Sequence, residues 1–241
     1  MFVIGWEKED DVAVITMDSG ENLQNRDFVN GMTKVLNEIE GDDSIRSVIL
    51  SSGDPKNWCQ GVDLEFLMER MAENDIKTVL ELLVGINAIL KRLLLSPIPV
   101  IAAIGGHAVG NGAVLACACD FRFMRADRGY FFFPDVDLGI PTLPGSIEIC
   151  KKAIPFTIYH EMLLSGRRYT AQELYESRIV MKASQNINAL MIDSMSFAKT
   201  MSQQRAIFGE IKGQLYRHIV DVIDNEDPKY IKTFKELMSK L

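Results

Sequence analysis

The chain has 241 residues, of which 47% are hydrophobic, 24% charged and 8% aromatic, a globular composition that excludes disordered, collagen-like and low-complexity proteins. Its 26 Lys+Arg against 33 Asp+Glu give a net charge of −7, so no overall field gathers phosphate backbones and nucleic acid is not an expected partner. Four cysteines, Cys59, Cys117, Cys119 and Cys150, form no CxxC pair and have no histidine at zinc-ligand spacing; reduced core thiols and no metal site are expected.

The first residues, MFVIGWEKEDD, pass from apolar side chains straight into acids, which suits a first strand rather than a signal or transit peptide. Runs of apolar and β-branched residues predict strands over 12–17, 47–51, 100–104 and 121–125, alternating with helices over 27–40, 64–70 and 78–95. This is an α/β pattern. No apolar run reaches the roughly 18 residues of a membrane span, because Lys91, Arg92, Pro97 and Pro99 interrupt the longest candidates, so a soluble protein is expected. After Pro144 strand signals nearly vanish, and helical periodicity predicts helices over 156–164, 171–176, 188–201, 205–223 and 228–241. The organisation expected is an α/β core over residues 1–190 and a helical region over 191–241, with no repeat or linker between them. The chain ends Ser239-Lys240-Leu241, the peroxisomal address in a eukaryote; in a bacterium it carries no such meaning and the cytoplasm is expected, and the same residues also suit a Lys-capped helix end.

Two Gly-centred loops carry the chemical signal. Asn57-Trp58-Cys59-Gln60-Gly61-Val62-Asp63-Leu64 follows a strand and enters a helix, so backbone N–H groups near Gly61 and Val62 can point at a ligand. The second loop, Gly105-Gly106-His107-Ala108-Val109-Gly110-Asn111-Gly112, also leaves a buried strand and opens a helix. Two such donors facing one another form an oxyanion hole; the alternative is a turn that only lets a helix approach a strand closely. Neither loop fits a nucleotide fingerprint, since GxxxxGK[ST] is absent and Gly106, Gly110 and Gly112 are wrongly spaced for GxGxxG.

Taken in order, the segments Glu21-Asn22-Leu23-Gln24-Asn25, Cys59-Gln60-Gly61-Val62-Asp63-Leu64, Pro97-Ile98-Pro99-Val100-Ile101-Ala102-Ala103-Ile104, Gly110-Asn111-Gly112, Cys119-Asp120-Phe121-Arg122, Asp135-Val136-Asp137-Leu138-Gly139 and Leu164-Ser165-Gly166-Arg167-Arg168 resemble the crotonase superfamily, the enoyl-CoA hydratase/isomerase fold. The resemblance implies a spiral of ββα turns and a C-terminal helical region that assembles trimers or hexamers. It implies an acyl-CoA thioester as substrate, with coenzyme A part of that substrate and no separate cofactor. It implies a thioester oxygen held by the N–H groups of Val62 and Asn111, with Gln60, Gly61, Asp63, Leu64, Gly110 and Pro134 lining the substrate site.

Two departures bear on the reaction. Family hydratases carry one carboxylate on the helix after the second loop, where this chain has Val114, and a second one that maps to Asp135. Hydration benefits from two proton-handling groups, whereas moving a double bond from C3 to C2 needs one base that carries a proton from C2 to C4. The chain is therefore most similar to the single-acid Δ3,Δ2-enoyl-CoA isomerases, whose usual Glu is replaced here by the shorter Asp135. Phe131, Phe132, Phe133 and Pro134 precede Asp135 and are expected to raise its pKa. Simpler roles stay open: Asp135 as a turn acid or N-cap, Asp63 and Asp120 as structural acids, His107 as a donor to backbone, and Met68 and Met71 as core or tunnel wall. Three readings remain: an acyl-CoA isomerase, a thioester hydrolase or hydratase-like enzyme, and a non-catalytic acyl-CoA binder.

Overall fold

The computed structural model describes the backbone of residues 3–238, so Ser239-Lys240-Leu241 lie outside the described residues. Strand β1 (Val3–Glu9) turns back on β2 (Val12–Asp18) as an antiparallel pair. Helix α1 (Arg26–Glu40) begins where the Asn25 side chain accepts the Phe28 N–H at 3.1 Å, and its apolar stripe (Phe28, Met32, Val35, Leu36, Ile39) covers the sheet. From there each turn of the chain lays down one strand in each of two sheets. Strand β3 (Ser47–Ser52) is followed by β4 (Asn57–Cys59); after α2 (Leu64–Ala72) and α3 (Ile76–Leu95) come β5 (Val100–Ile104) and β6 (His107–Val109); after α4 (Asn111–Ala118) come β7 (Phe121–Arg125) and β8 (Phe131–Phe132). Helices α5 (Asp135–Leu138), α6 (Pro144–Ala153), α7 (Phe156–Ser165) and α8 (Ala171–Glu176) lead to β9 (Lys182–Ser184), and α9 (Ile187–Ala198), α10 (Arg205–Leu215), α11 (Arg217–Asn225) and α12 (Asp227–Met238) follow.

The large sheet runs β1-β2-β3-β5-β7-β9 and the small one β4-β6-β8, parallel throughout except for β1 against β2. This is the ββα spiral that the family resemblance implies. The central strands are buried on both faces, which is why they read as unbroken apolar runs. Val48, Leu50, Val100, Ala102 and Ile104 face the main core, while Ile49, Ile101, Ala103 and Phe123 face α9 through Leu190 and Ala198.

The C-terminal part differs from the expectation in three ways. A strand, β9, stands where strand signals vanish; three residues are too short to show a period, and backbone bonds from Met181 to Arg122 (2.7 Å) and from Ala126 to Ser184 (2.6 Å) hold it on the sheet edge. The single helix expected over 205–223 is two helices that meet at Tyr216. Residue 190 falls inside α9, whose apolar face is already committed to the large sheet. The tail also closes the main core: Ile219 and Ile231 are buried in it, while Ile207, Ile211 and Leu215 leave one face of α10 exposed. Polar anchors fix the tail as well. Lys212 Nζ meets Asp120 Oδ2 at 2.8 Å, and Asp227 accepts the Asn87 amide at 2.8 Å and the Gly145 N–H at 2.7 Å. Among the described residues no helix is long and apolar enough to cross a membrane.

The spiral depends on close backbone approach where α4 starts. A Cβ on Gly112 would lie 2.1 Å from the Cys59 carbonyl oxygen, so β4 and α4 touch through bare backbone. Gly112→Ala should therefore lower folding stability by about 1–3 kcal/mol, the usual range for overpacking, as read from urea denaturation midpoints.

Candidate active site

The segment that follows β4 and the start of α4 meet at Gly61. There φ is +85°, and a Cβ would lie 2.8 Å from the Val109 oxygen and 3.0 Å from the Asn111 nitrogen. Gln24 bridges the first of these segments from the other side: its N–H donates to Gly61 O at 2.7 Å and its carbonyl accepts the Asp63 N–H at 3.2 Å. The Val62 N–H takes no part in this bridge. Asn111 is the first residue of α4, so its N–H has no acceptor inside the helix. Both residues line one cavity of about 440 Å³. A backbone donor at a helix start together with a second one lining the same cavity can hold a developing oxyanion.

Sequence reasoning passed over the residue that fixes these donors. The buried Gln24 side chain accepts from Asn111 Nδ2 at 2.6 Å and donates to the Asn111 carbonyl at 3.2 Å. One side chain thus clamps the second loop while its own backbone clamps the first. A glutamine inside an otherwise ordinary loop-to-helix segment was the available signal. The Asn111 side chain is equally committed, so its truncation removes part of the clamp even though the N–H remains.

Across the cavity, Asp135 opens α5. Its Oδ1 accepts the Thr142 hydroxyl at 2.9 Å. Burial raises the Asp135 carboxyl above the ordinary carboxylate value, and the bonds from Thr142 and from its own backbone N–H oppose that rise in part. Val114 lines the same cavity, an apolar residue facing the space. The other lining acids differ: Glu21 and Glu65 are exposed, and Asp63 caps α2 by accepting the Phe66 N–H at 3.1 Å.

The structure brings Gln60, Val62, Asp63, Leu64, Gly110, Asn111, Pro134 and Asp135 to this cavity, whereas Gly61 lies behind its wall, where its missing Cβ admits Asn111. Gln60 also reaches Asn57 Oδ1 at 2.6 Å. His107 accepts the Tyr130 N–H on Nδ1 at 3.2 Å and stacks on that ring, so its backbone bond runs opposite to the donation expected. The four cysteines are free and buried, as expected. Burial pushes the Cys59 thiol up to about 11, which leaves it a poor nucleophile. Of the two methionines weighed as core or tunnel wall, Met68 is exposed and Met71 packs against the main core.

The enoyl-CoA hydratase/isomerase family profile matches residues 7–240. The chain belongs to that family. It is 25% identical over 225 residues to enoyl-CoA delta isomerase 3 of Arabidopsis thaliana, covering 90% of this chain and 94% of the relative. It is 30% identical over 178 residues to the short-chain-enoyl-CoA hydratase of Clostridium acetobutylicum, covering 73% and 66%. Among solved structures, enoyl-CoA hydratase from Bacillus halodurans superposes with a TM-score of 0.87 at 21% identity over 97% of this chain and 94% of that one, a likeness of fold.

Were Asp135 a general base, which works ionised, the rate would fall as pH drops through its pKa, and the Thr142 hydroxyl favours the ionised form. Thr142→Val should move the acid limb of the rate profile to higher pH, while Thr142→Ser should leave it near the parent position. A Thr142→Val profile unchanged in position would show that this bond does not tune the base.

Proposed function

We propose that this family member is a Δ3,Δ2-enoyl-CoA isomerase of fatty-acid metabolism. The observation that carries the reading is the pairing of Asp135, a carboxylate raised by burial, with Val114 at the position where a second acid would serve hydration. The thioester oxygen sits between the Val62 and Asn111 N–H groups, which lowers the cost of drawing a proton from C2. Asp135 takes that proton, and the C2–H electron pair becomes a C1=C2 bond as the carbonyl pair moves onto the thioester oxygen, which gives a dienolate. The C3=C4 pair then takes the same proton at C4 from the Asp135 carboxylic acid, while the oxygen pair reforms the carbonyl and the C1=C2 pair moves to C2=C3. No electrons are gained or lost overall, and coenzyme A enters only as the carrier of the acyl group. The isomerase named among the relatives supports the assignment, and the exposed Ile207, Ile211 and Leu215 face supports assembly into three or six chains.

The purified protein should convert a 3-enoyl-CoA to the conjugated 2-enoyl-CoA, read as new ultraviolet absorbance. Asp135→Asn should cut that rate by about 10²–10⁴, the usual contribution of a general base. A carboxyl whose folded pKa is raised destabilises the fold once ionised, so the Asn variant should melt no lower than the parent near neutral pH, and any difference should vanish as pH falls below the unfolded value. Release of free thiol without new absorbance would replace the isomerase by a thioester hydrolase. Light scattering should give three or six chains, and a monomer at micromolar concentration would refute the assembly.

A further inference from the structure

One stretch of the cavity wall is polar where an acyl chain calls for hydrocarbon. Helix α3 presents an apolar buried face (Leu82, Leu83, Ile86, Ile89, Leu90, Leu93), and Asn87 interrupts it. Asn87 lines the cavity together with Ser146 of α6, and the two are only 8% and 4% exposed. Behind them Asp227 is wholly buried with both oxygens engaged, Oδ1 by the Gly145 N–H and Oδ2 by the Asn87 amide nitrogen. Asp227 has a structural role, capping α6 from across the fold and placing a negative charge at its positive end. Because Asp227 takes the amide N–H, the Asn87 oxygen is left over. Among the described residues neither that oxygen nor the Ser146 hydroxyl has a partner within the chain. A strut for Asp227 accounts for Asn87 and leaves Ser146 without a use, since alanine fills the same place in a helix at no polar cost.

We propose that Asn87 and Ser146 form a subsite for a hydroxyl group carried on the acyl chain, so that the preferred substrate is a hydroxylated acyl thioester. The inference rests on the acyl-CoA reading above and names its substrate class. An alcohol matches both atoms: its O–H donates to the Asn87 oxygen and its oxygen accepts from the Ser146 hydroxyl. A carboxylate does not fit, because the charged residues lining the cavity are all acids (Glu21, Asp63, Glu65, Asp135) and no lysine or arginine is among them. A site built to bond a hydroxyl discriminates against a plain chain, which leaves buried polar atoms unpaired.

Binding of unreactive saturated thioesters separates this inference from the isomerase reading. Calorimetric titration would compare hexanoyl-, octanoyl- and decanoyl-CoA, each with its terminally hydroxylated counterpart. At one of these lengths the hydroxylated chain should bind about tenfold tighter, the scale of one or two net hydrogen bonds. Ser146→Ala should lose most of that preference through weaker binding of the hydroxylated chain, and Asn87→Leu should reverse it. If Asn87→Leu does not fold, the Ser146→Ala comparison decides alone. Parent affinities for plain chains that equal or exceed those for hydroxylated chains at every length would overturn the subsite, as would a Ser146→Ala variant that keeps the full preference. Failure of every acyl-CoA to bind would remove the acyl-CoA reading with it, whereas isomerisation of plain 3-enoyl-CoA with no hydroxyl preference would remove the subsite alone.

Discussion

The contact between two backbone segments from successive turns of the spiral sets the rest of the site. Gly61 and Gly112 let the segment after β4 and the start of α4 approach at distances that any Cβ would block, and Gln24 holds the pair by bonding one through its backbone and the other through its side chain. Donors fixed in this way need no reorganisation when charge develops on an oxygen between them. The two sheets exist to deliver these segments: β4 and β6 lie side by side in the small sheet, and β3 and β5 anchor them from the large one.

Asp135 depends on a different balance. A carboxylate in this cavity is disfavoured by lost hydration, and one hydroxyl from Thr142 gives part of that back. The result is a carboxyl held above its ordinary value, with the Thr142 bond opposing the rise in part. Val114 adds an apolar side chain to the same lining. The tail supports this arrangement from outside, because Asp227 joins α12 to α3 and α6, and α6 follows directly on the loop that carries Thr142.

Much of this was legible in the amino-acid order. The apolar runs of β3, β5 and β7 and the two Gly loops declare themselves locally, because buried strands are uniformly apolar and close approach demands glycine. Asp135 was singled out by the family resemblance, which maps a hydratase carboxylate onto it, and its aromatic neighbours pointed to the raised pKa. Other features depend on partners far away in the chain. Gln24 acts on a residue 87 positions later, so nothing beside it reveals its role. Asn87 reads as a blemish in an apolar helix until Asp227, 140 positions on, shows which of its atoms is spent. Strand β9 is too short for a period, and the break at Tyr216 separates two helices whose joint pattern is continuous. Ile219 and Ile231, apolar residues of a tail that carries no sheet of its own, are core, because the tail must first cover its own chain.

We propose that the Val62 and Asn111 N–H groups polarise a thioester carbonyl and that Gln24, which lies outside the cavity lining, keeps them in place. The most direct measurement is the infrared stretch of a ¹³C-labelled thioester carbonyl in an unreactive acyl-CoA bound to the parent protein and to Gln24→Leu. Binding to the parent should shift the stretch to lower frequency, and binding to the folded variant should shift it less. A carbonyl that keeps its aqueous frequency in the parent, or shifts equally in both proteins, would contradict it.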